Sequence, residues 1–340
     1  MAPDSIDNLT QSYLEAIEPE LQQAVRRSND LRNPRLYEML AYHMGWVSQT
    51  NERESRGKRL RSLLALLSCS AAGGDWQRAL PGATAVELVH NFSLIHDDIE
   101  DHSPLRRGRP TVWKKWGIPQ AINCGDAMFA LAHLEATRLA ETVSPAIAMK
   151  AVELVQFTCL RLTEGQFLDL SYETRNDLTI EDYWRMVEGK TAALMATSST
   201  LGAMAAFADE HICQLYQDFG HSLGLAFQAW DDWLGIWGNS GITGKSSQSD
   251  LVTGKITLPV LFGLSRNGEF AFRWKQGAIT SREVPKLISH LEADGGKAFT
   301  EEQAKYYINE ALAALEQAYP VAIYGEALQT LARSLAYRQA

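Results

Sequence analysis

The chemistry-bearing residues crowd into one stretch, ELVHNFSLIHDDIEDHSPLRRGRP, between Glu87 and Pro110. At helical period Val86, Val89, His90, Ser93, Asp97 and Asp101 fall close to one line, which points the carboxylates of Asp97 and Asp101 the same way. Two carboxylates held that close repel unless a proton or a cation sits between them. With no hydrophobic collar around them, a hard divalent cation such as magnesium suits them, since it takes oxygen ligands and keeps part of its water shell. Arg106 and Arg107 follow, with permanent planar charges that match phosphate oxygens. Acid for a metal followed by base for a phosphate describes a metal–diphosphate site. Taken singly, an acidic run is most often a solvated helix end and an Arg pair most often surface. The approach, VELVHNFSLIH, is mostly apolar and therefore buried, and unpaired acids at its end would be costly.

Further candidates lie on either side. Gly57-Lys58-Arg59-Leu60-Arg61 opens an apolar helix, with Lys58 and Arg61 read as sharing a face. Cations at a helix start are disfavoured unless an anion joins them. Gln166 and Asp169 share a face of a long apolar helix and need partners there. Lys190, followed by Thr191, stands at the mouth of a small-residue helix, where a lysine either snorkels or pairs with an anion. A second acid pair, Asp231-Asp232, ends the apolar run FGHSLGLAFQAW, and Gln228, one turn earlier, is read as facing the same space as Asp231. GITGKSSQSDLVTGKITLP, with Lys245, Asp250 and Lys255, reads as a flexible basic loop able to close over phosphates.

In order between Gly57 and Pro259, the elements GKRLR, DDIED-x4-RRG, Gly125-Asp126, GQFLD, Lys190-Thr191, FQAWDD and GK…D…GKITLP resemble the motifs of the trans-isoprenyl diphosphate synthases, or polyprenyl synthetases. The resemblance implies an all-α isoprenoid synthase fold: one large bundle of antiparallel helices around a central apolar cavity, a single domain over 1–340. It implies a magnesium-dependent head-to-tail condensation of isopentenyl diphosphate with an allylic diphosphate. Three magnesium ions then meet the departing diphosphate, Asp97 and Asp101 holding two and Asp231 the third. Arg106, Lys190, Lys245 and Lys255 contact the allylic diphosphate. Thr191 lies near the developing cation, and Gln228 is carried over with the FQxxDD element. Lys58, Arg61, His90 and Arg107 hold isopentenyl diphosphate. In the family the final proton goes to the released diphosphate, so no dedicated base is required.

The departures from the family pattern are Ser62 in place of a proline, Gly235 in place of the last acid of the second motif, and Asn239 in place of an acid beyond it. A metal on that side would depend on Asp231. A class I terpene cyclase would carry (N/D)Dxx(S/T)xxxE, which NDLTIEDYW does not fit. A non-catalytic partner subunit, which Gly235 suggests, is opposed by the intact acids of the first motif and by every expected Lys and Arg. The resemblance also implies a homodimer, and growth of the prenyl chain along the Asp97 helix towards its start. Ser93 leaves room there for a unit beyond farnesyl. An aromatic at Phe92 with a small neighbour accompanies geranylgeranyl diphosphate synthesis, which is the expected product.

The elements that must position these groups are helices almost throughout. LYEMLAYHMGWV, RSLLALLSCSAA, AIAMKAVELVQFTCLRLTEGQFLDL, TAALMATSSTLGAMAAFA and AKYYINEALAALEQAY show helical spacing, with breaks at RNPR, AAGGDW, SPLRRGRP, YETRNDLT and GNSGITGKSSQSD. The 340 residues, 46% hydrophobic, suffice for a sizeable core, and no linker marks a domain boundary. A net charge of −9 argues against general nucleic-acid binding. Cys69, Cys124, Cys159 and Cys213 follow no CxxC spacing and suit reduced thiols of a cytoplasmic protein. The acidic, amphipathic N-terminus is no signal peptide, and no window approaches the ~18 apolar residues of a membrane span.

Overall fold

Apolar residues recurring at helical spacing produce helices over most of the chain. The computed structural model describes residues 3–27, 34–47, 57–238 and 249–336. In chain order the helices are α1 (Pro3–Arg26), α2 (Pro34–His43), α3 (Leu60–Ala71), α4 (Leu80–Glu100), α5 (Val112–Trp116), α6 (Ile118–Thr137), α7 (Pro145–Tyr172) and α8 (Ile180–Val187). One π-helical turn, Glu188–Ala192, leads into α9 (Ala193–Ala205). Then come α10 (Glu210–Trp237), α11 (Ser249–Thr253), α12 (Leu258–Ser265), α13 (Glu269–Trp274), α14 (Val284–Ala293), α15 (Gly296–Gln317) and α16 (Ala322–Ala336). Among the described residues the strands are β1 (Leu105–Arg106) and β2 (Arg109–Pro110), so the fold is all-α as expected.

The chain falls into two compact units: Met1–Cys159 with Thr197–Gln217 and Ala318–Leu328, and Leu160–Ala196 with Asp218–Gln317 and Gln329–Ala340. In the first, α4 is the central element. Pro81 starts it, and Ala83, Val86, Leu88, Val89, Phe92 and Ile95 are buried along its length. It packs along α6 and against α3. A helix buried so nearly all round can present acids to solvent only at its end, which is where they stand.

The second unit has a core of Tyr183, Met186, Val187, Leu225, Trp230, Trp233, Leu258 and Leu261. Thr179 and Asp182 form a capping box that starts α8. Small residues bring the backbones together: a Cβ on Gly165 would stand 2.1 Å from the Lys190 amide nitrogen, and one on Gly224 would stand 2.5 Å from Ala192 Cα. The position of Lys190 is therefore set by backbone contact with α7. Among the described residues no helix is long and apolar enough to cross a membrane, and the four cysteines are free thiols.

Candidate active site

The line of residues read from helical period survives in α4. Asp101 continues it as the C-cap, its amide donating to the Asp97 carbonyl at 2.8 Å. Asp97 is half-buried and Asp101 exposed. The intervening Asp98 turns the other way and is only 2% exposed. Its Oδ1 accepts from Arg106 Nε at 2.8 Å, and burial pushes its carboxyl up to about 6 against the pull of Arg106. The acids thus divide: Asp97 and Asp101 face outward, and Asp98 holds Arg106. The sequence reading gave Asp98 no role, although Asn91, Ile95 and Asp98 recur at helical spacing on the buried side.

The helix break expected at SPLRRGRP is present, and there the RRG element forms a β-hairpin. Arg106 pairs with Arg109 across the two strands, and Arg107 and Gly108 form the turn with φ of 50° and 71°. Two consecutive positive φ values are those of a primed hairpin turn, which Gly adopts without strain. The turn puts Arg106 beside Arg109 and Arg107 at the tip. Arg109 lies over the Tyr42 ring at 4.9 Å, and Tyr42 donates to the Pro110 carbonyl at 2.8 Å.

That tip reaches the GKRLR element. A Cβ on Gly57 would stand 2.7 Å from Arg107 Nη2, so the absence of a side chain there lets the guanidinium lie on the backbone. The expectation that Lys58 and Arg61 share a helical face is corrected. Gly57 (φ 77°) and Arg59 (φ 47°) are left-handed, α3 begins at Leu60, and Lys58 precedes the helix while Arg61 lies in its first turn. Arg59, which sequence reasoning passed over, fixes this geometry from within. Its Nε donates to Glu18, its Nη1 to Glu87 and its Nη2 to the Met44 carbonyl, each at 3.3 Å.

Around these groups the field is strongly positive. Burial, then Arg61, Arg107 and Arg106, push His90 well below its ordinary value, and burial with Arg107 and Arg106 does the same to buried His43. Both imidazoles are therefore neutral. Arg61 Nε and two nitrogens of Arg109, Nε and Nη1, are buried with no acceptor among the described residues. The structure thus brings together Arg61, His90, Arg106 and Arg107, with Arg106 held by Asp98 and Arg61 Nε buried without an acceptor among the described residues. Phe92 packs edge-on against Phe129 of α6 at 5.1 Å, and Ser93 donates to the His90 carbonyl at 2.9 Å.

In the second unit Asp231 is exposed and Asp232, 4% exposed, is buried. Gln228, read as facing the same space as Asp231, is hydrogen-bonded to Thr191 and Asp232. Its Oε1 accepts from Thr191 at 2.9 Å and its Nε2 donates to Asp232 at 2.9 Å. Asp232 also accepts from Tyr183 at 2.7 Å and from the Leu258 amide at 2.9 Å, and burial pushes it up to about 6. Lys190, inside the π-helical turn, is ion-paired with Asp169. Gln166 is buried, Lys255 is exposed on the segment before α12, and Gly235 is partly buried. Lys245 and Asn239 lie outside the described residues.

The sequence model of the family described as Polyprenyl synthetase matches residues 46–283. A geranylgeranyl diphosphate synthase of Mycobacterium tuberculosis is 40% identical over 300 residues, covering 86% of this chain and 85% of that protein. A (2E,6E)-farnesyl diphosphate synthase of Mycobacterium bovis is 37% identical over 327 residues, covering 91% and 89%. The crystal structure of a geranylgeranyl pyrophosphate synthetase from Pyrococcus horikoshii superposes with a TM-score of 0.89 at 31% identity, over 99% of each chain. The match of fold, of motif order and of most of the chain length leads to one conclusion: the chain belongs to the polyprenyl synthetase family.

Proposed function

We propose that the chain condenses isopentenyl diphosphate head-to-tail with an allylic diphosphate, with geranylgeranyl diphosphate as its main product. The observation that carries this reading lies in the first unit. One helix end presents Asp97 and Asp101 outward, and Arg61, His90, Arg106 and Arg107 gather nearby, with Arg61 Nε buried and without an acceptor among the described residues. That donor set suits two different ligands, a hard cation and a phosphate oxyanion.

The residues fit magnesium. Asp97 and Asp101 offer carboxylate oxygens on one line, and among the described residues no three His, Cys, Asp or Glu side chains gather into a protein cage. A small hard cation is served by one or two such carboxylates together with phosphate oxygens and water. Asp97, Asp101 and Asp231 are the proposed ligands, with three ions expected. When bound, the metal neutralises charge building on the departing diphosphate.

The chain's own groups do the rest. Lys58, Arg61, Arg107 and His90 hold isopentenyl diphosphate, His90 as a neutral hydrogen-bonding imidazole. Arg106, oriented by Asp98, and Lys190, oriented by Asp169, add fixed positive charge against the allylic diphosphate, with Lys245 and Lys255. Thr191 donates its hydroxyl hydrogen to Gln228, which leaves its lone pairs to face a developing cation. Phe92 and Ser93 shape the space for the growing chain. The whole chain is proposed to work as one catalytic domain in the cytoplasm, as a homodimer. The exposed apolar side chains Ile118, Ile122, Phe129 and Leu134 of α6 and Met149 and Phe157 of α7 support the dimer.

The test is turnover. Labelled isopentenyl diphosphate, supplied with dimethylallyl, geranyl or farnesyl diphosphate in turn, is expected to be incorporated with each primer. No incorporation with any of them, from folded protein with magnesium present, overturns the reading.

A further inference from the structure

The second acid motif offers two carboxylates, and its geometry separates them. Asp231 is exposed, whereas both oxygens of Asp232 are occupied inside the second unit. Oδ1 accepts from Gln228 Nε2 at 2.9 Å. Oδ2 accepts from Tyr183 at 2.7 Å and from the Leu258 amide at 2.9 Å. A carboxylate so filled by three donors has little left to offer a metal.

The three donors come from three separate elements, and each leads directly to a candidate functional group. Gln228 passes the contact on to Thr191. Tyr183 lies in α8, which runs without a break into the π-helical turn that carries Lys190 and Thr191. Leu258 opens α12, three residues after Lys255. The residue in the N-cap position of α12, Thr257, makes no side-chain cap. Asp232 therefore supplies from α10 the anion that the first turn of α12 lacks locally.

We propose that Asp232 is a positioning residue that holds the Lys190–Thr191 turn, Gln228 and the segment leading from Lys255 into α12 in one register. It touches no substrate and binds no metal, and Tyr183 is its working partner. The assignment rests on the prenyl-transfer reading above for the identity of the substrate these groups serve. A single carboxylate thereby ties together parts of the chain that are far apart in sequence. Losing one of its contacts is expected to misplace the allylic contacts and to leave the isopentenyl contacts of the first unit alone.

The test compares Tyr183→Phe, Asp232→Asn and Asp232→Ala with the unaltered protein. Steady-state constants are measured for both substrates, with the magnesium concentration for half-maximal rate and hydrogen exchange of the 251–262 segment without ligands. Tyr183→Phe removes one hydrogen bond and no charge. It is expected to raise KM for the allylic diphosphate several-fold and to lower kcat, with KM for isopentenyl diphosphate and the magnesium requirement unchanged. Exchange at the Leu258 amide should quicken in both Asp232 variants. Asp232→Asn should retain more activity than Asp232→Ala, because an amide oxygen can still accept. Three results overturn the proposal: a defect removed by raising magnesium, which would make Asp232 a ligand; a loss shared equally by both substrates and matched by the unfolded fraction; or unaltered kinetics and exchange in folded Asp232→Ala. Failure of the unaltered protein to turn over would instead count against the prenyl-transfer reading, and the exchange result would stand apart from it.

Discussion

Asp97 and Asp101 stand one turn apart at the exit of a buried helix, and most of the proposed chemistry follows from that placement. Ala at either position is expected to lower kcat by at least ~10²–10³-fold, the scale of losing a main electrostatic stabiliser, with Asp231→Ala nearly as severe. Steady-state rates at saturating magnesium check this. Lys58→Ala and Arg61→Ala should mainly raise KM for isopentenyl diphosphate, by roughly 10–100-fold if each removes one charge-assisted contact. Lys190→Ala should chiefly lower kcat. His43 yields a pH prediction. Burial and the neighbouring arginines penalise its charged form, so below the ordinary histidine value of 6.5 the unfolded chain takes up a proton that the folded one refuses. Stability is therefore full above that value and falls as pH drops below it. Urea midpoints from pH 8 to 5 should show the decline, and His43→Gln should flatten part of it. The outward acids were legible because helical period aligns them. Asp98 and Asp232 lay in the same periodicity, on the buried side, and were missed because acids were read as ligands rather than as anchors for Arg106 and for the Tyr183–Gln228–Leu258 set. Arg59 was missed because its partners, Glu18 and Glu87, are distant in sequence.

At the scale of elements, the long helices were plain from apolar spacing and the short special turns were not. The hairpin at Arg106–Arg109 has two-residue strands, too short for any alternation to show, and only the Arg-Gly pair at its turn signals the positive φ values. The π-helical turn at Lys190 carries no compositional mark. It becomes intelligible through Gly165 and Gly189, whose missing side chains let two backbones meet. An added Cβ at Gly165 meets the Lys190 amide nitrogen, a backbone atom with nowhere to go. Gly165→Ala is therefore expected to cost about 1–3 kcal/mol or more in chemical denaturation, with a fall in kcat as Lys190 is displaced. Likewise the shared face expected of Lys58 and Arg61 fails, because Gly57 and Arg59 take left-handed conformations that a count of apolar residues does not reveal.

For the whole molecule, helical spacing points to an all-α fold and motif resemblance to a prenyl synthase, whereas the division into two compact units has no compositional trace. Its boundaries at Cys159, Ala196 and Gln217 fall inside helices α7, α9 and α10, where no Gly-, Pro- or Ser-rich linker exists to be read. The proposed control of product length lies on α4, at Phe92 and Ser93. Ser93→Phe is expected to shift the product towards farnesyl diphosphate, and Phe92→Ala, which removes the ring packed on Phe129, to lengthen it. An unchanged distribution in Ser93→Phe would place the floor of the cavity elsewhere. The most direct measurement is the carbon number of the prenyl diphosphate made from isopentenyl and dimethylallyl diphosphates, with magnesium and after its removal by chelation. Geranylgeranyl diphosphate as the main product, formed only with the metal, is the predicted result. A cyclised hydrocarbon, or no new carbon–carbon bond in folded protein, would contradict it.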